Sequence, residues 1–363
     1  LLFFTAMIAH IATAVMVGLF CWAYKAIKPP YPKICGSTGG PPVTAPRVIL
    51  SDGRHIAYRE MGIPKEEARH KIIVIHGLDS NRNHFLPLSQ EFMKELGLYI
   101  LFFDRAGYGE SDPNQKRLVK SEALDIEELA DILELGSKFY VVGLSLGTFP
   151  VWSCLKYIPH RHVYVYVEGY NDPFVLLWLS GAAVVVPHAN YYWPLFPANL
   201  VNQCFKKLAL RDQWTLRVAH YTPWLFNWWM TQKLFPTLIV SRDGGDILSR
   251  TDIEILKKYE DIIRVSKQGC ILQGVYVSIY QDMIAAHGKW EFDPMEITNP
   301  FPTNEGSVHM WQGGEDKIAA LPLNRYISEK LPWIRYHEIP DGGHFIFMNE
   351  KICKAIITHV LFG

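Results

Sequence analysis

Three residues spread along the chain have the side chains that nucleophilic catalysis by a serine requires. Ser145 lies in Gly-Leu-Ser-Leu-Gly, directly after the apolar run Tyr-Val-Val. A serine hydroxyl is a weak nucleophile at neutral pH, so it needs a histidine base that an acid orients. Asp316 in "WQGGEDKIAALP" and His344 in "PDGGHF" follow in that order. We therefore expect Ser145 to be the nucleophile, Asp316 the acid and His344 the base of an acyl-transfer site.

Such a site also needs two N–H donors for the oxyanion that forms during attack. One is expected from the backbone of Leu146, directly after the serine, and the other from Leu78, directly after His76-Gly77. Two alternatives remain open at this point. The serine can be a small residue at a tight turn, and Glu315 can replace its neighbour Asp316 as the acid, because a motif does not separate adjacent acids.

The elements that must position these residues alternate between strand and helix. "KIIVIHG", "LYILFF" and "KFYVVG" are apolar, β-branched runs, and "EALDIEELADILELG" carries apolar residues at helical spacing. "LGTFPVWSCLKYIP" follows the serine as a second helix. Strand, loop, helix, strand, turn and helix in succession indicate a parallel sheet that is covered on both faces.

The first residues of the chain predict a membrane-spanning helix. Residues 1–24 contain no charged side chain, and a helix of that length spans roughly 36 Å, enough for a bilayer core. A cleaved signal or a buried helix is the alternative. The chain begins with Leu, so we expect its natural start to lie upstream. Because lysines follow the segment, the positive-inside tendency predicts a cytosolic catalytic domain, and the Pro- and Gly-rich residues 25–46 predict an extended linker.

Composition limits the classes of partner. The 36 basic and 36 acidic residues balance, so nothing indicates a nucleic-acid partner. The six cysteines form no CxxC pair, and no His/Cys cluster has zinc-ligand spacing, so we expect isolated thiols, no metal and no cofactor. The oligomeric state does not follow from the sequence.

Residues 190–297, named here the cap segment, are aromatic and poor in strand patterns. They predict a helical insertion that covers the serine and lines an apolar substrate pocket. The tryptophans that motivate this pocket are Trp193, Trp214, Trp224, Trp228 and Trp229. The alternative is an ordinary aromatic core of a small subdomain. Strand patterns resume in residues 298–363.

The chain resembles plant membrane-anchored proteins of the α/β-hydrolase superfamily. The resemblance covers most of residues 25–345 and rests on "PKICGSTGGPPVTAPRVILSDGRHIAY", "VIHG", "FFDRAGYGESDP", "ALDIEELADILELGSKFYVVGLSLG", "DQWTLRVAHYTPWL", "HGKWEFDP" and "LPWIRYHEIPDGGH". It implies the α/β-hydrolase fold, a mostly parallel eight-stranded sheet with helices on both faces and a helical cap. It also maps the nucleophile, acid and base to Ser145, Asp316 and His344. Thr148, directly after Gly-Leu-Ser-Leu-Gly, stands where the resemblance leads us to expect a second glycine.

Residues 162–179 are the largest departure from this resemblance. In similar proteins "YIPHR" continues almost directly into the equivalent of "SGAAVVVP". We therefore expect "AAVVVP" to be a core strand and residues 162–179 to be an atypical addition within residues 47–189. The segment is either a genuine insertion or translated non-coding sequence.

These features together predict a single-pass membrane serine hydrolase without a cofactor. Ser145 would attack the carbonyl of a carboxylic ester, and the aromatic cap and the anchor favour an apolar or lipid-like small molecule. A small-ligand-binding protein with little or no turnover is the alternative from another class, because an intact triad does not exclude it. A damaged gene product is the third reading.

Overall fold

Residues 2–164, 174–235 and 247–363 are described by the computed structural model, and the strands within them form one sheet. The strands are β1 (Arg47–Ile49), β2 (His55–Gly62), β3 (His70–Ile75), β4 (Leu98–Phe103), β5 (Lys138–Leu144), β6 (His160–Tyr164), β7 (Phe174–Val185), β8 (Val308–Gly313) and β9 (Ile334–Ile339). Eight of them follow the order β1-β2-β4-β3-β5-β7-β8-β9, and β6 pairs with β7 beside this path.

The helices of the described residues lie before, between and after these strands. They are α1 (Leu2–Ile27), α2 (Gln90–Leu96), α3 (Val119–Ile132), α4 (Thr148–Tyr157), α5 (Ala198–Lys207), α6 (Leu210–Tyr221), α7 (Phe226–Thr231), α8 (Arg250–Lys258), α9 (Glu260–Cys270), α10 (Gln281–His287), α11 (Leu321–Lys330) and α12 (Glu350–Phe362). Helices α5 to α10 belong to the cap segment.

The strands from β4 to β9 on this path pair in parallel, whereas β1 and β2 are antiparallel to their neighbours. Alternate residues of β3 enter two different cores: Ile73 and Ile75 pack on the face of α3 and α4, and Ile72 and Val74 on the face of α2 and α12. A strand that is buried on both faces requires a continuous apolar run, as the sequence has. The prediction of a mostly parallel sheet with helices on both faces is confirmed.

Strand β7 is central, and it begins earlier than the sequence predicted. Residues 182–185 pair with β5 on one side and β8 on the other, so the core strand expected from "AAVVVP" is confirmed. The same strand extends back to Phe174, and β6 pairs with that extension in antiparallel register. Tyr164 ends β6 beside the central path, whereas Tyr166 and the rest of residues 165–173 lie outside the described residues.

The predicted linker follows α1 and is attached to the folded body. Lys33 N donates to Gln273 O at 3.0 Å, and Cys35 N donates to the Gln273 side chain at 3.2 Å. The Gln273 amide is buried and donates to the carbonyl oxygens of Gly109 and Ser111. Residues 33–35 are therefore held between the cap segment and the loop that follows β4.

A buried ionic network joins the cap segment to the core. Arg105, after β4, donates to Asp282 of α10 at 2.7 Å, and Arg117 donates to the same carboxylate at 3.1 Å. Glu122 and Tyr108 complete the network. A buried charge without its partner is strongly destabilising, so these contacts restrict how the cap segment sits on the sheet.

Helix α1 is long and apolar enough to cross a membrane. Its window His10–Ile27 has a mean hydropathy of 1.4 and is not buried against the rest of the chain. A membrane anchor and a signal sequence near the N-terminus both have these properties.

Candidate active site

Ser145 lies at a sharp turn between strand β5 and helix α4. Its φ is +53°, a left-handed conformation that is strained for a residue with a side chain. A Cβ on Gly143 would lie 2.4 Å from Gly147 O, and a Cβ on Gly147 would lie 2.3 Å from Ile75 O. Gly143 is therefore needed for the turn itself, and Gly147 for the close approach of β3 to the turn. The Thr148 hydroxyl donates to Ser145 O at 2.7 Å and supports the turn.

The structure brings Ser145, His344 and Asp316 together from three strand ends. His344 Nε2 lies 2.9 Å from Ser145 Oγ, and His344 Nδ1 lies 2.9 Å from Asp316 Oδ2. Because a carboxylate only accepts, Nδ1 carries the proton of a neutral ring and Nε2 faces the hydroxyl as an acceptor. This is the geometry in which a histidine can take the proton of a serine.

Asp316 is buried and its two oxygens are fully used. Oδ1 accepts from Ile318 N at 2.8 Å and Ala319 N at 2.9 Å, and Oδ2 accepts from Gln312 Nε2 at 3.1 Å besides His344. Burial raises the pKa of Asp316, but the attraction of His344 and these donors outweigh it, so the net pKa lies below its ordinary value. Glu315, the alternative acid, is exposed to solvent. Geometry thus favours Asp316.

The loop after β3 approaches the serine as closely as a backbone can. A Cβ on Gly77 would lie 3.1 Å from Ser145 Cβ, which explains a glycine at this position. Leu78 and Leu146, the residues predicted to offer backbone N–H groups, both border the cavity at Ser145. His76 is buried, and its Nε2 accepts from Arg105 N at 3.1 Å. Burial, then the charge of Arg105, holds the pKa of His76 far below its ordinary value, which favours the neutral ring.

A cavity of about 370 Å³ opens at Ser145 and is mostly apolar. The core contributes Leu78, Phe85, Leu144, Leu146, Phe345 and Phe347 to its wall. The cap segment contributes Ile247, Leu248, Leu256, Ile262 and Ile263, from α8, α9 and the residues that precede α8. A small apolar ligand would therefore contact both parts of the chain beside the serine.

The predicted pocket tryptophans lie elsewhere, and this part of the prediction is corrected. Trp193 is buried between Phe149 and Trp290. Trp214 and Trp224 are exposed, and Trp228 packs at the edge of the core cluster. Among the described residues, none of these four borders the cavity at Ser145. The aromatic composition of the cap segment suggested a pocket lined by its tryptophans, but the apolar cap residues that border the cavity are aliphatic.

Trp229, the fifth of this group, is almost fully buried and donates to Thr215 Oγ1 at 2.9 Å. It joins α7 to α6 within the cap segment. Its role is therefore packing between these helices.

Asp252 of α8 holds the loop that carries His344, and sequence reasoning missed it. Its Oδ2 accepts from His344 N at 3.1 Å, and its Oδ1 accepts from Phe345 N at 2.8 Å. Ser249 N and Ser249 Oγ also donate to Oδ2, at 3.1 and 2.9 Å. Asp252 is fully buried, and a Cβ on Gly343 would lie 2.2 Å from its Oδ2. "SRTD" has the spacing of a helix-capping box, but nothing in it indicates a long-range partner.

His188 is a second residue that the sequence did not single out. It borders the cavity, and its ring centroid lies 6.4 Å from that of His344 and 6.1 Å from that of His287. Burial, then the neighbouring His344, lowers the pKa of His188 to about 4. Burial, then His188, lowers the pKa of His287 to about 3, although Asp282 opposes this shift. Both rings are therefore neutral at pH 7.

The described residues contain no group of three or more His, Cys, Asp or Glu side chains that is placed to hold a metal ion. All six cysteines fall within them and are free thiols, five of them buried.

The mostly parallel sheet and the sharp turn at Ser145 are features of a class of protein, and comparison with known sequences identifies the family. Residues 72–351, more than half of the chain, match the Alpha/beta hydrolase family. The chain belongs to this family. Similarity to curated proteins is confined to a shorter stretch. An uncharacterized 31.7 kDa protein in the traX-finO intergenic region of Escherichia coli is 31% identical over 113 residues, which are 29% of this chain and 38% of that protein.

Solved structures share the fold over most of the chain. An esterase from Thermogutta terrifontis has a TM-score of 0.53 at 15% identity and covers 86% of this chain and 97% of its own. An esterase from Exiguobacterium antarcticum has a TM-score of 0.54 at 16% identity, with 87% and 99% covered. The enol-lactonase from Burkholderia xenovorans has a TM-score of 0.55 at 14% identity, with 88% and 100% covered. At these identities the likeness shows the fold alone, and hydrolase chemistry is common to the three proteins.

Proposed function

We propose that this protein is a serine hydrolase that cleaves carboxylic esters of apolar or lipid-like molecules through an acyl-enzyme at Ser145. The observation that carries the proposal is the hydrogen-bonded series Ser145, His344 and Asp316 at the mouth of an apolar cavity. The mostly apolar wall of that cavity favours an apolar acyl group over a charged one, since burying a charge without a partner is costly.

Each step uses a contact of this chain. Ser145 Oγ would attack the ester carbonyl while its proton passes to His344 Nε2, and Asp316 would stabilise the resulting imidazolium through Nδ1–H. The backbone N–H groups of Leu78 and Leu146 would stabilise the oxyanion. His344 would return the proton to the leaving alcohol and then activate a water that releases the acid. No cofactor takes part in this sequence.

A fluorophosphonate probe tests the nucleophile directly. It should label the full chain at Ser145 and should not label Ser145→Ala. Labelling without turnover of any ester in a broad panel would favour the ligand-binding alternative instead. Labelling that persists in Ser145→Ala would contradict the assignment of the nucleophile.

A panel of aryl esters with acyl chains of increasing length tests the substrate class. Each methylene that enters the cavity is worth about 0.8 kcal/mol, or roughly fourfold in kcat/KM, until the cavity is full. Equal kcat/KM for short and long acyl chains would contradict an apolar acyl pocket.

We further propose that α1 anchors the protein in a membrane with the catalytic domain on the cytosolic side. The uncharged length of α1 and the lysines directly after it support this topology. The full chain should stay in the membrane pellet after carbonate extraction, and release into the supernatant would contradict the anchor.

A further inference from the structure

Large apolar side chains of the cap segment face solvent along α6, in the turn between α6 and α7, and in the residues that follow α7. Trp224 is 64% exposed and Leu234 is 77% exposed, which is high for residues of these types. The exposed members of this surface, named here the aromatic face, are Leu210, Trp214, Tyr221, Trp224, Leu234 and Phe235. Single exposed apolar residues are ordinary, but a set of this size on neighbouring elements marks an interaction site.

Helix α6 has two apolar faces, and only one of them packs on the body. Leu216, Val218 and Ala219 are buried. Leu210 and Trp214 are four residues apart and Tyr221 lies seven further on, so their spacing places them together on the opposite side of the helix. The inner face packs on the body. On the outer face, Tyr221 contacts the ring of Tyr192 at its edge, but Leu210, Trp214 and Tyr221 all remain largely exposed to solvent.

The aromatic face lies beside the end of the proposed anchor. Asn227 Nδ2 of α7 contacts Lys28 O at 3.5 Å, one residue beyond the end of α1. Trp224 precedes Asn227 by three residues, which span only about 5 Å of helical chain. The polar region on each side of a bilayer core is about 5–8 Å thick. A side chain this close to the membrane exit of α1 is therefore within reach of the lipid headgroups.

The residue types and charges of this surface match that location. Tryptophan and tyrosine concentrate at membrane–water interfaces because they combine an apolar ring with a polar group. The guanidinium of Arg217 lies 5.2 Å from the centre of the Trp214 ring. Lys233 directly precedes Leu234 in the chain, and Lys28 directly follows α1. Cationic groups among interfacial aromatics suit phosphate headgroups, particularly those of anionic lipids.

We infer that the aromatic face lies in the headgroup region of the same bilayer that α1 crosses, so that the cap segment rests on the membrane surface. This inference depends on the proposed anchor and not on the proposed catalysis. The cap segment also forms one wall of the cavity at Ser145, through α8, α9 and the residues that precede α8. Trp214 and Trp224, two of the tryptophans that the sequence suggested for the pocket, would then contact lipid.

Quenching of tryptophan fluorescence by brominated lipid measures this contact. The full chain is reconstituted in vesicles of dibrominated phosphatidylcholine with phosphatidylserine, and in vesicles without bromine. The test variant is Trp214→Phe with Trp224→Phe. Trp22→Phe, in α1, reports the anchor, and Trp333→Phe, a partly buried tryptophan next to β9, is the matched control. Thermal unfolding of each purified variant verifies that it is folded, independently of any catalysis.

The expected result is that the double variant loses about half or more of the bromine-dependent quenching, because two of the three tryptophans in contact with lipid are removed. Trp333→Phe should leave the quenching unchanged. If the double variant matches the wild type while Trp22→Phe loses quenching, α1 is in the bilayer but the aromatic face is not, and the inference is overturned.

If no variant changes the quenching, the anchor fails and the inference fails with it. If the face is unquenched and cross-linking captures a dimer through it, a second copy covers it, and the inference is also overturned. Labelling of Ser145 is read separately in every arm, so a failure of the proposed catalysis is distinguishable.

Discussion

Replacing Asp252 by asparagine should loosen the loop that carries His344, although Asp252 is far from Ser145 in the sequence. The substitution keeps the shape of the side chain and exchanges one acceptor oxygen for an NH₂ group. In the native chain both oxygens are needed, because His344 N uses one and Phe345 N uses the other. One of the two backbone N–H groups must therefore lose its acceptor and face another donor.

The magnitude follows from these contacts. Leaving a buried N–H unsatisfied costs about 1–3 kcal/mol, and each remaining hydrogen bond weakens by roughly 1 kcal/mol when its acceptor loses its charge. We expect a loss of about 2–4 kcal/mol in the free energy of unfolding. The entropy of unfolding is about 2.1 cal/mol/K per residue, so over the folded body this loss corresponds to a decrease in Tm of roughly 3–6 °C.

The assay combines Tm with the rate of fluorophosphonate labelling. A displacement of His344 Nε2 from Ser145 Oγ should slow labelling by about 10- to 100-fold, since small misplacements of a base have effects of this size. Asp261→Asn is the matched control, because Asp261 lies in the adjacent helix α9 with its side chain 87% exposed. The free energy of unfolding of that control should stay within about 0.5 kcal/mol of the wild-type value, and its labelling rate should be normal.

An unchanged Tm and an unchanged labelling rate in Asp252→Asn would refute the reasoning. A lower Tm with normal labelling would show that Asp252 stabilises the cap segment without positioning His344. The two measurements therefore separate a structural role from a positioning role.

Three further predictions rest on single features of the site. Asp316→Asn should lower kcat by about 10⁴-fold because the histidine loses its orienting acceptor. Glu315→Gln should change kcat little, and a large decrease in kcat for Glu315→Gln alone would assign the acid to Glu315 instead. The pKa of His287 is about 3 in the folded chain, against 6.5 when unfolded. The unfolded chain therefore binds a proton more readily, and the contribution of neutral His287 to the free energy of unfolding, complete above pH 6.5, is lost as the pH falls towards 3. In His287→Leu the free energy of unfolding should fall less steeply over that pH range, by up to about 1.4 kcal/mol per pH unit. The same pH dependence as in the wild type would contradict this account. Gly147→Ala should destabilise the fold by about 3 kcal/mol, because its Cβ would meet Ile75 O, and wild-type stability in thermal unfolding would count against the elbow geometry.

The sequence by itself predicted the mostly parallel sheet and placed Ser145, His344 and the acidic pair Glu315-Asp316 at the ends of strands. Strands buried on both faces must be apolar without interruption, and those runs are visible in the sequence. Gly143 is needed by the local backbone, because its Cβ would meet Gly147 O, whereas Gly147 is needed because β3 passes close to it at Ile75 O. The order of Ser145, Asp316 and His344 along the chain then follows from which strands end at the same edge of the sheet.

Only the tertiary structure decided between residues of the same type and placed the cap segment. Asp316 and Glu315 are equivalent in the sequence, but one is buried against His344 and the other faces solvent. Trp193 and Trp224 are likewise the same residue type, but Trp193 is buried and Trp224 is exposed. The contact of Asp252 with His344 joins residues 92 positions apart. Such pairings depend on how helices dock on the sheet, and local propensity and spacing carry no information about docking.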